Sequence, residues 1–146
     1  MTPWLKRPKL GKNLSVAKGA QVLGKTTAFS GFAVPDLSAA EKFYGETLGI
    51  DLTKGEMGDL VLNLAGGRDT FIYEKPDFAP ATYTILNFVV DDVDQTVDEL
   101  TKKGVRFERY EGFDQDERGI ARGDRGPAIA WFKDPAGNIL SVLEDR

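Results

Sequence analysis

The sequence predicts an α+β fold of two tandem βαβββ modules, forming a curved, partly closed mixed sheet with the helices on its outer face. Three observations predict it. Residues 29–50, FSGFAVPDLSAAEKFYGETLGI, return in outline at 85–105, ILNFVVDDVDQTVDELTKKGV, where Phe32, Val34, Asp36 and Leu37 recur as Phe88, Val90, Asp92 and Val93. A repeat at fixed spacing marks a duplicated structural unit. Each copy opens with an alternating apolar strand and continues with apolar residues at helical spacing. Short apolar runs separated by glycine turns then complete each copy.

In the first copy the strand through Phe32 and Val34 ends at Pro35 and Asp36. A helix follows, with Ser38 and Glu41 at capping-box spacing and Gly49 where it must stop. Strands are then expected at 50–53, 60–64 and 70–74, with Gly55, Gly58, Gly66 and Gly67 at the turns. The second copy repeats the plan, with Asp92 and Gln95 at the helix start and Gly104 at its end, then strands at 106–110, 128–132 and 139–143. The intervening EGFDQDERGIARGDRGP, 111–127, is polar and glycine-bearing, so a long flexible loop able to act as a lid is expected. Two domain segments result: a basic extension at 1–27 and a domain at 28–146, with modules at about 28–80 and 81–146.

Composition narrows the chemistry. Without cysteine there is no disulfide, thiolate metal site or cysteine nucleophile, and without histidine the commonest general base and transition-metal ligand are missing. The formal charge of −4 conceals an asymmetry, because residues 1–28 hold six cations and no acid. The remainder has 13 cations against 23 acids, a net of −10. Such a body repels nucleic acid and anionic membranes and favours cationic or neutral small ligands. Pro3, Pro8, Gly11, Gly19 and Gly24 interrupt the basic stretch, which is expected to be a plain extension and not a nucleic-acid-binding arm. No apolar run approaches the roughly 18 residues of a membrane span, and no secretory signal is read, so the expected location is the cytoplasm.

With the repeat, VPDLSAAEKFYGETLGI, FVVDDVD and the hairpin FKDPAGN together, the chain resembles the vicinal oxygen chelate superfamily over about residues 28–145. That superfamily includes glyoxalases, extradiol dioxygenases, fosfomycin-modifying enzymes and bleomycin-binding resistance proteins. The resemblance implies, for a metal-dependent member, one ligand at the start of each copy's first strand and one in its last strand. Carried over singly, these positions are Phe29, Ile85, Ser141 and either Ile72 or Tyr73, with Glu74 reached only by a register slip. Phenylalanine, isoleucine and serine do not hold a divalent ion. The implied protein therefore uses no metal at this place and no cofactor.

Strand alternation assigns Phe32, Val34, Phe88, Val90, Leu140 and Val142 to the helix-covered side. The opposite phase, facing the concavity, holds Phe29, Gly31 and Ala33, then Ile85, Asn87 and Val89, then Ile139, Ser141 and Leu143. The candidate ligand-binding residues are Phe29, Tyr73, Ile85, Asn87, Tyr110, Phe113, Trp131 and Ser141, an aromatic lining with two polar handles. No catalytic residue is assigned. The expected function is metal-free binding of an aromatic or cationic small molecule. Two alternatives stand beside it: a lyase or isomerase using Tyr73, Glu74 or a loop residue, and a structural dimer without ligand. A homodimer is expected because the resemblance implies paired modules and an open sheet leaves edges to cover.

Overall fold

The computed structural model describes residues 22–123 and 126–145; most of the basic extension, residues 1–21, lies outside them. The first module contains β1 (Ser30–Val34), α1 (Leu37–Glu41), β2 (Leu52–Lys54), β3 (Leu60–Leu62) and β4 (Thr70–Glu74). Its sheet runs β1-β4-β3-β2, with β1 and β4 parallel and the other pairs antiparallel. The second contains β5 (Thr84–Val90), α2 (Val93–Lys102), β6 (Ile129–Lys133) and β7 (Ile139–Glu144), ordered β5-β7-β6. The fold is α+β with two mixed, unclosed sheets. No helix among the described residues is long and apolar enough to cross a membrane.

The first helix starts two residues earlier than its capping-box spacing indicates. Asp36, not Ser38, is the N-cap, accepting from the amides of Ser38 at 2.9 Å and Ala39 at 3.3 Å. Asp92 does the same for Gln95 at 3.1 Å, so the two copies share an aspartate cap. After Glu41 the helix widens into a π-helical stretch, Lys42–Thr47, which ends with the amides of Leu48 and Ile50 on the carbonyls of Phe43 and Tyr44. Gly49, at φ 72°, provides the left-handed exit. Tyr44 is fully buried.

Both modules contribute to one core. Val34, Tyr44, Leu60, Leu62 and Ile72 from the first pack in a cluster with Val93, Val97, Phe132, Leu140 and Val142 from the second. Phe32, Phe88 and Val90 are half-buried against it, so the whole helix-facing phase packs as alternation dictates. Polar contacts tie the modules at the DPAGN turn. The Tyr44 hydroxyl donates to Asp134 at 2.7 Å, and Asn138 donates to the carbonyl of Ala33 at 3.1 Å and to Asp134 at 3.0 Å.

Two sequence expectations for the second module fail for one physical reason. The segment 106–110 forms no regular strand, only a bridge from Phe107 to Phe132 and a 2.8 Å bond from the Glu108 amide to the Trp131 carbonyl. The Gln115 side chain occupies its other side, accepting from the Tyr110 amide at 2.8 Å and donating to the carbonyls of Glu108 at 2.9 Å and Gly119 at 2.7 Å. A side chain thus replaces a neighbouring strand. The same bonds make the described part of 111–127 a stapled loop and not a free lid. Asp116 accepts from the amides of Arg118 and Ile120, and Arg118 bonds to Asp94 and Asp98 of α2.

Candidate functional site

The concave phase of each sheet carries aromatic side chains, and each sheet does so differently. On the first, Phe71 stacks on Tyr73 with ring centroids 5.8 Å apart, and Phe29 meets Phe71 edge-on at 6.4 Å. Gly31 pairs with Phe71 across β1 and β4; a Cβ there would lie 3.0 Å from the Phe71 carbonyl, so the strand stays bare beside the rings. Phe29 is 72 % exposed. Phe29 and Phe71 line a hollow of about 560 Å³ with Val61, Arg68, Asp59 and Asp69.

On the second sheet the stapled loop covers part of the concavity. Trp131, Ile129 and Leu143 cluster with Ala121, and Tyr110 packs on them. Tyr110 and Phe113 meet the Trp131 ring at 5.6 Å and 4.9 Å. These three rings, with Thr82, Tyr83, Thr84, Asn87 and Ile139, surround a hollow of about 530 Å³. Ser141 is fully buried and donates to the Asn87 side-chain amide oxygen at 2.5 Å, which gives the polar residue that interrupts the FVV alternation a partner for its oxygen. Asn87 itself is exposed at the hollow.

The structure therefore brings together Asn87, Tyr110, Phe113 and Trp131, with Ser141 beneath. Phe29 lines the separate hollow on the first sheet, while Tyr73 and Ile85 line a third, of about 640 Å³, beside the 75–84 connection. Phe71 escaped sequence reasoning, although its register across Gly31 matches that of Ser141 across Asn87. Ile72, one of two residues proposed for that place, is a core residue with no exposure. The pleat supplied the missing signal: the repeat makes Gly31 equivalent to Asn87, and their partners are therefore equivalent too. Thr82 and Tyr83 also escaped, because the connection that carries them has no periodic pattern.

The electrostatics are simple. No carboxylate, lysine or arginine lines the hollow beside Trp131 among the described residues. Burial, aided by the Glu108 charge, raises the pKa of the Tyr110 phenol. Its hydroxyl oxygen is fully buried and has no hydrogen-bond partner among the described residues. Burial alone would raise the pKa of Asp116 in the loop, but the Ile120 and Arg118 amides and the Arg122 and Arg118 charges outweigh it and lower the pKa. An acidic trio of Asp92, Asp94 and Glu144 sits at the start of α2. These groups are engaged as a helix cap, an arginine partner and an acceptor for the Val93 amide.

The four positions equivalent to superfamily metal ligands, read by register, hold Phe29, Phe71, Ile85 and Ser141. They do not fit a metal: three are hydrocarbon, and the Ser141 hydroxyl is already committed to Asn87. Purified protein is accordingly expected to carry far less than one equivalent of zinc, manganese, nickel or iron by elemental analysis. Near-stoichiometric metal surviving dialysis would contradict the assignment of these positions.

Residues 26–142 match the model of the Glyoxalase/Bleomycin resistance protein/Dioxygenase superfamily. Among curated proteins none matches the chain by sequence. Among solved structures, an antibiotic-binding protein from Streptomyces is 25 % identical, with a TM-score of 0.61 over 84 % of this chain and 98 % of that one. The fosfomycin resistance protein of Listeria monocytogenes aligns at 0.64 with 15 % identity, covering 82 % of this chain and 93 % of its own. A lactoylglutathione lyase from Agrobacterium tumefaciens aligns at 0.57 with 20 % identity, over 82 % and 93 % of the two chains. The last two likenesses concern the fold alone.

Proposed function

The chain belongs to the Glyoxalase/Bleomycin resistance protein/Dioxygenase superfamily, and from that premise we propose that it is a metal-free binder of planar aromatic molecules, neutral or cationic. The observation that carries the reading is the aromatic hollow beside Trp131. Three rings converge there with Asn87 and Thr84 as polar handles, a lining that holds a flat ligand by stacking and orients it by few hydrogen bonds. The antibiotic-binding Streptomyces protein supports the same class of role. Enzymatic turnover is less well supported. The hollow offers no acid–base pair, and Tyr110, with its raised pKa, is a poor base near neutrality.

A thermal-shift panel of aromatic cations, neutral aromatics and aromatic carboxylates tests the reading. A ligand that binds only the folded state raises Tm. Cations and neutral compounds are expected to raise it and carboxylates to do so least, because residues 29–146 carry a net charge of −10. If carboxylates or phosphorylated metabolites stabilise most, the reading fails, and Arg68 in the other hollow becomes the residue to test.

The functional unit is proposed to be a homodimer. The Phe29–Phe71–Tyr73 ladder and the Trp131 hollow share no lining residue within one chain, yet both are open, and Phe29 and Val89 are 72 % and 58 % exposed. A twofold partner that lays its ladder over the hollow would close two equal cups and cover this apolar surface. Light scattering should therefore give twice the monomer mass at micromolar concentration, and Phe29→Asp should shift it towards the monomer. A wild-type monomer would oppose the composite cup.

A further inference from the structure

We propose that the Tyr110 hydroxyl is the ligand-reading donor of the hollow beside Trp131. The ligand class is then a planar aromatic with an uncharged hydrogen-bond acceptor, a ring nitrogen or a carbonyl, on its leading edge. This rests on the binding reading above and makes it more specific.

The argument starts from an imbalance. The buried polar groups next to the hollow are paired: the Ser141 hydroxyl with the Asn87 side-chain oxygen, the Tyr110 amide with Gln115, and the Glu108 carbonyl with Gln115. The hydroxyl of Tyr44, a fully buried core residue, has Asp134. Only the Tyr110 hydroxyl is fully buried without a partner among the described residues. Such a group costs about 1–3 kcal/mol, and packing explains why the fold tolerates it. The ring is held on the Ile129, Trp131 and Leu143 cluster, and its backbone is fixed by Gln115. The hydroxyl is thus a preorganised donor that finds no acceptor among the described residues, and a bound ligand can supply one.

The surroundings narrow that acceptor. A carboxylate would enter beside Glu108, against a strongly acidic body. A hydrocarbon would leave the hydroxyl unpaired. A neutral ring nitrogen or carbonyl meets neither objection, and its aromatic body replaces contacts on Trp131. Phe113, 55 % exposed and resting on that indole, is the side chain a ligand displaces to reach the hydroxyl.

Quinoline and naphthalene test this directly, since they share one shape and differ by a single acceptor. Full-length wild-type and Tyr110→Phe proteins are titrated with each at mildly alkaline pH, where quinoline is uncharged, following the Trp131 indole signal by NMR. Wild type should bind quinoline about tenfold more tightly than naphthalene, and Tyr110→Phe should bring the two within about twofold. Naphthalene affinity should hardly change. An unchanged ratio in the variant, as a structural water on the hydroxyl would give, overturns the inference and leaves the binding reading intact. Failure of both compounds to shift Trp131 in wild type overturns both. Tyr110→Phe is also expected to melt no lower than wild type; a large fall would reveal a partner for the hydroxyl within the fold and likewise overturn the inference.

Discussion

Replacing Asp134 with alanine is expected to destabilise the protein by about 3–5 kcal/mol, because each buried donor left without its acceptor costs about 1–3 kcal/mol. Asp134 is 4 % exposed and accepts four hydrogen bonds: from the Tyr44 hydroxyl, the Asn138 side chain, and the amides of Ala136 and Asn138. Alanine deprives all four donors of their acceptor, three of them on the turn that places β7. Denaturant unfolding measures the loss, and a cost below about 1 kcal/mol would show that solvent or rearrangement satisfies these donors. Tyr44→Phe removes one donor with its bond and should cost less, about 1–2 kcal/mol. It has a pH signature as well. Burial first, then the Asp134 charge and hydrogen bond, push the Tyr44 pKa far above the ordinary tyrosine range. Above about pH 10 the unfolded chain releases this proton and the folded one keeps it, so stability is full below that pH and falls by about 1.4 kcal/mol per unit above it. Tyr44→Phe should remove one proton's worth of that alkaline slope.

The second large effect is expected at Trp131. The residue is 8 % exposed, packs with Ala121, Ile129 and Leu143, and carries Tyr110 and Phe113 on its ring. Trp131→Ala should cost about 3–5 kcal/mol through lost burial and the cavity left behind. It should also abolish aromatic binding, because the platform for both loop rings disappears with it. Trp131→Phe separates the two roles: it retains a ring and should recover most of the stability, while aromatic ligands bind more weakly on the smaller face. If Trp131→Ala retains wild-type affinity for the stabilising ligands in thermal-shift and NMR titrations, the hollow is not their site.

The repeat and the alternation were readable because they rest on local sequence and on one period. Phe32 and Phe88 lie at matching places in β1 and β5, and β4 occupies the expected range, Thr70–Glu74. What stayed hidden depends on side chains making bonds that backbones usually make. Gln115 ends the 106–110 strand before it forms, and nothing in EGFDQDERG marks one glutamine as the staple. Arg118 sits in a stretch that reads as a solvated loop because its partners, Asp94 and Asp98, lie on a helix some twenty residues earlier. Of the site, the aromatic and polar residue types were legible. Their division among three hollows was not, because it depends on how the connection carrying Tyr83 and the stapled loop cross the sheets.

The bond between Tyr44 and Asp134 also has an evolutionary consequence. It joins a helix of one copy to a turn of the other, 90 residues apart, whereas the repeat places Leu100 where Tyr44 would recur and a glycine turn, Gly66 and Gly67, where the Asp–Asn latch would recur. The two halves have become lock and key and are no longer interchangeable. A descendant cannot lose either half, or exchange one for a fresh duplicate of the other, without breaking the latch. Substitutions at Tyr44 and Asp134 should therefore be inherited together across a lineage, as one compound character encoded 90 codons apart.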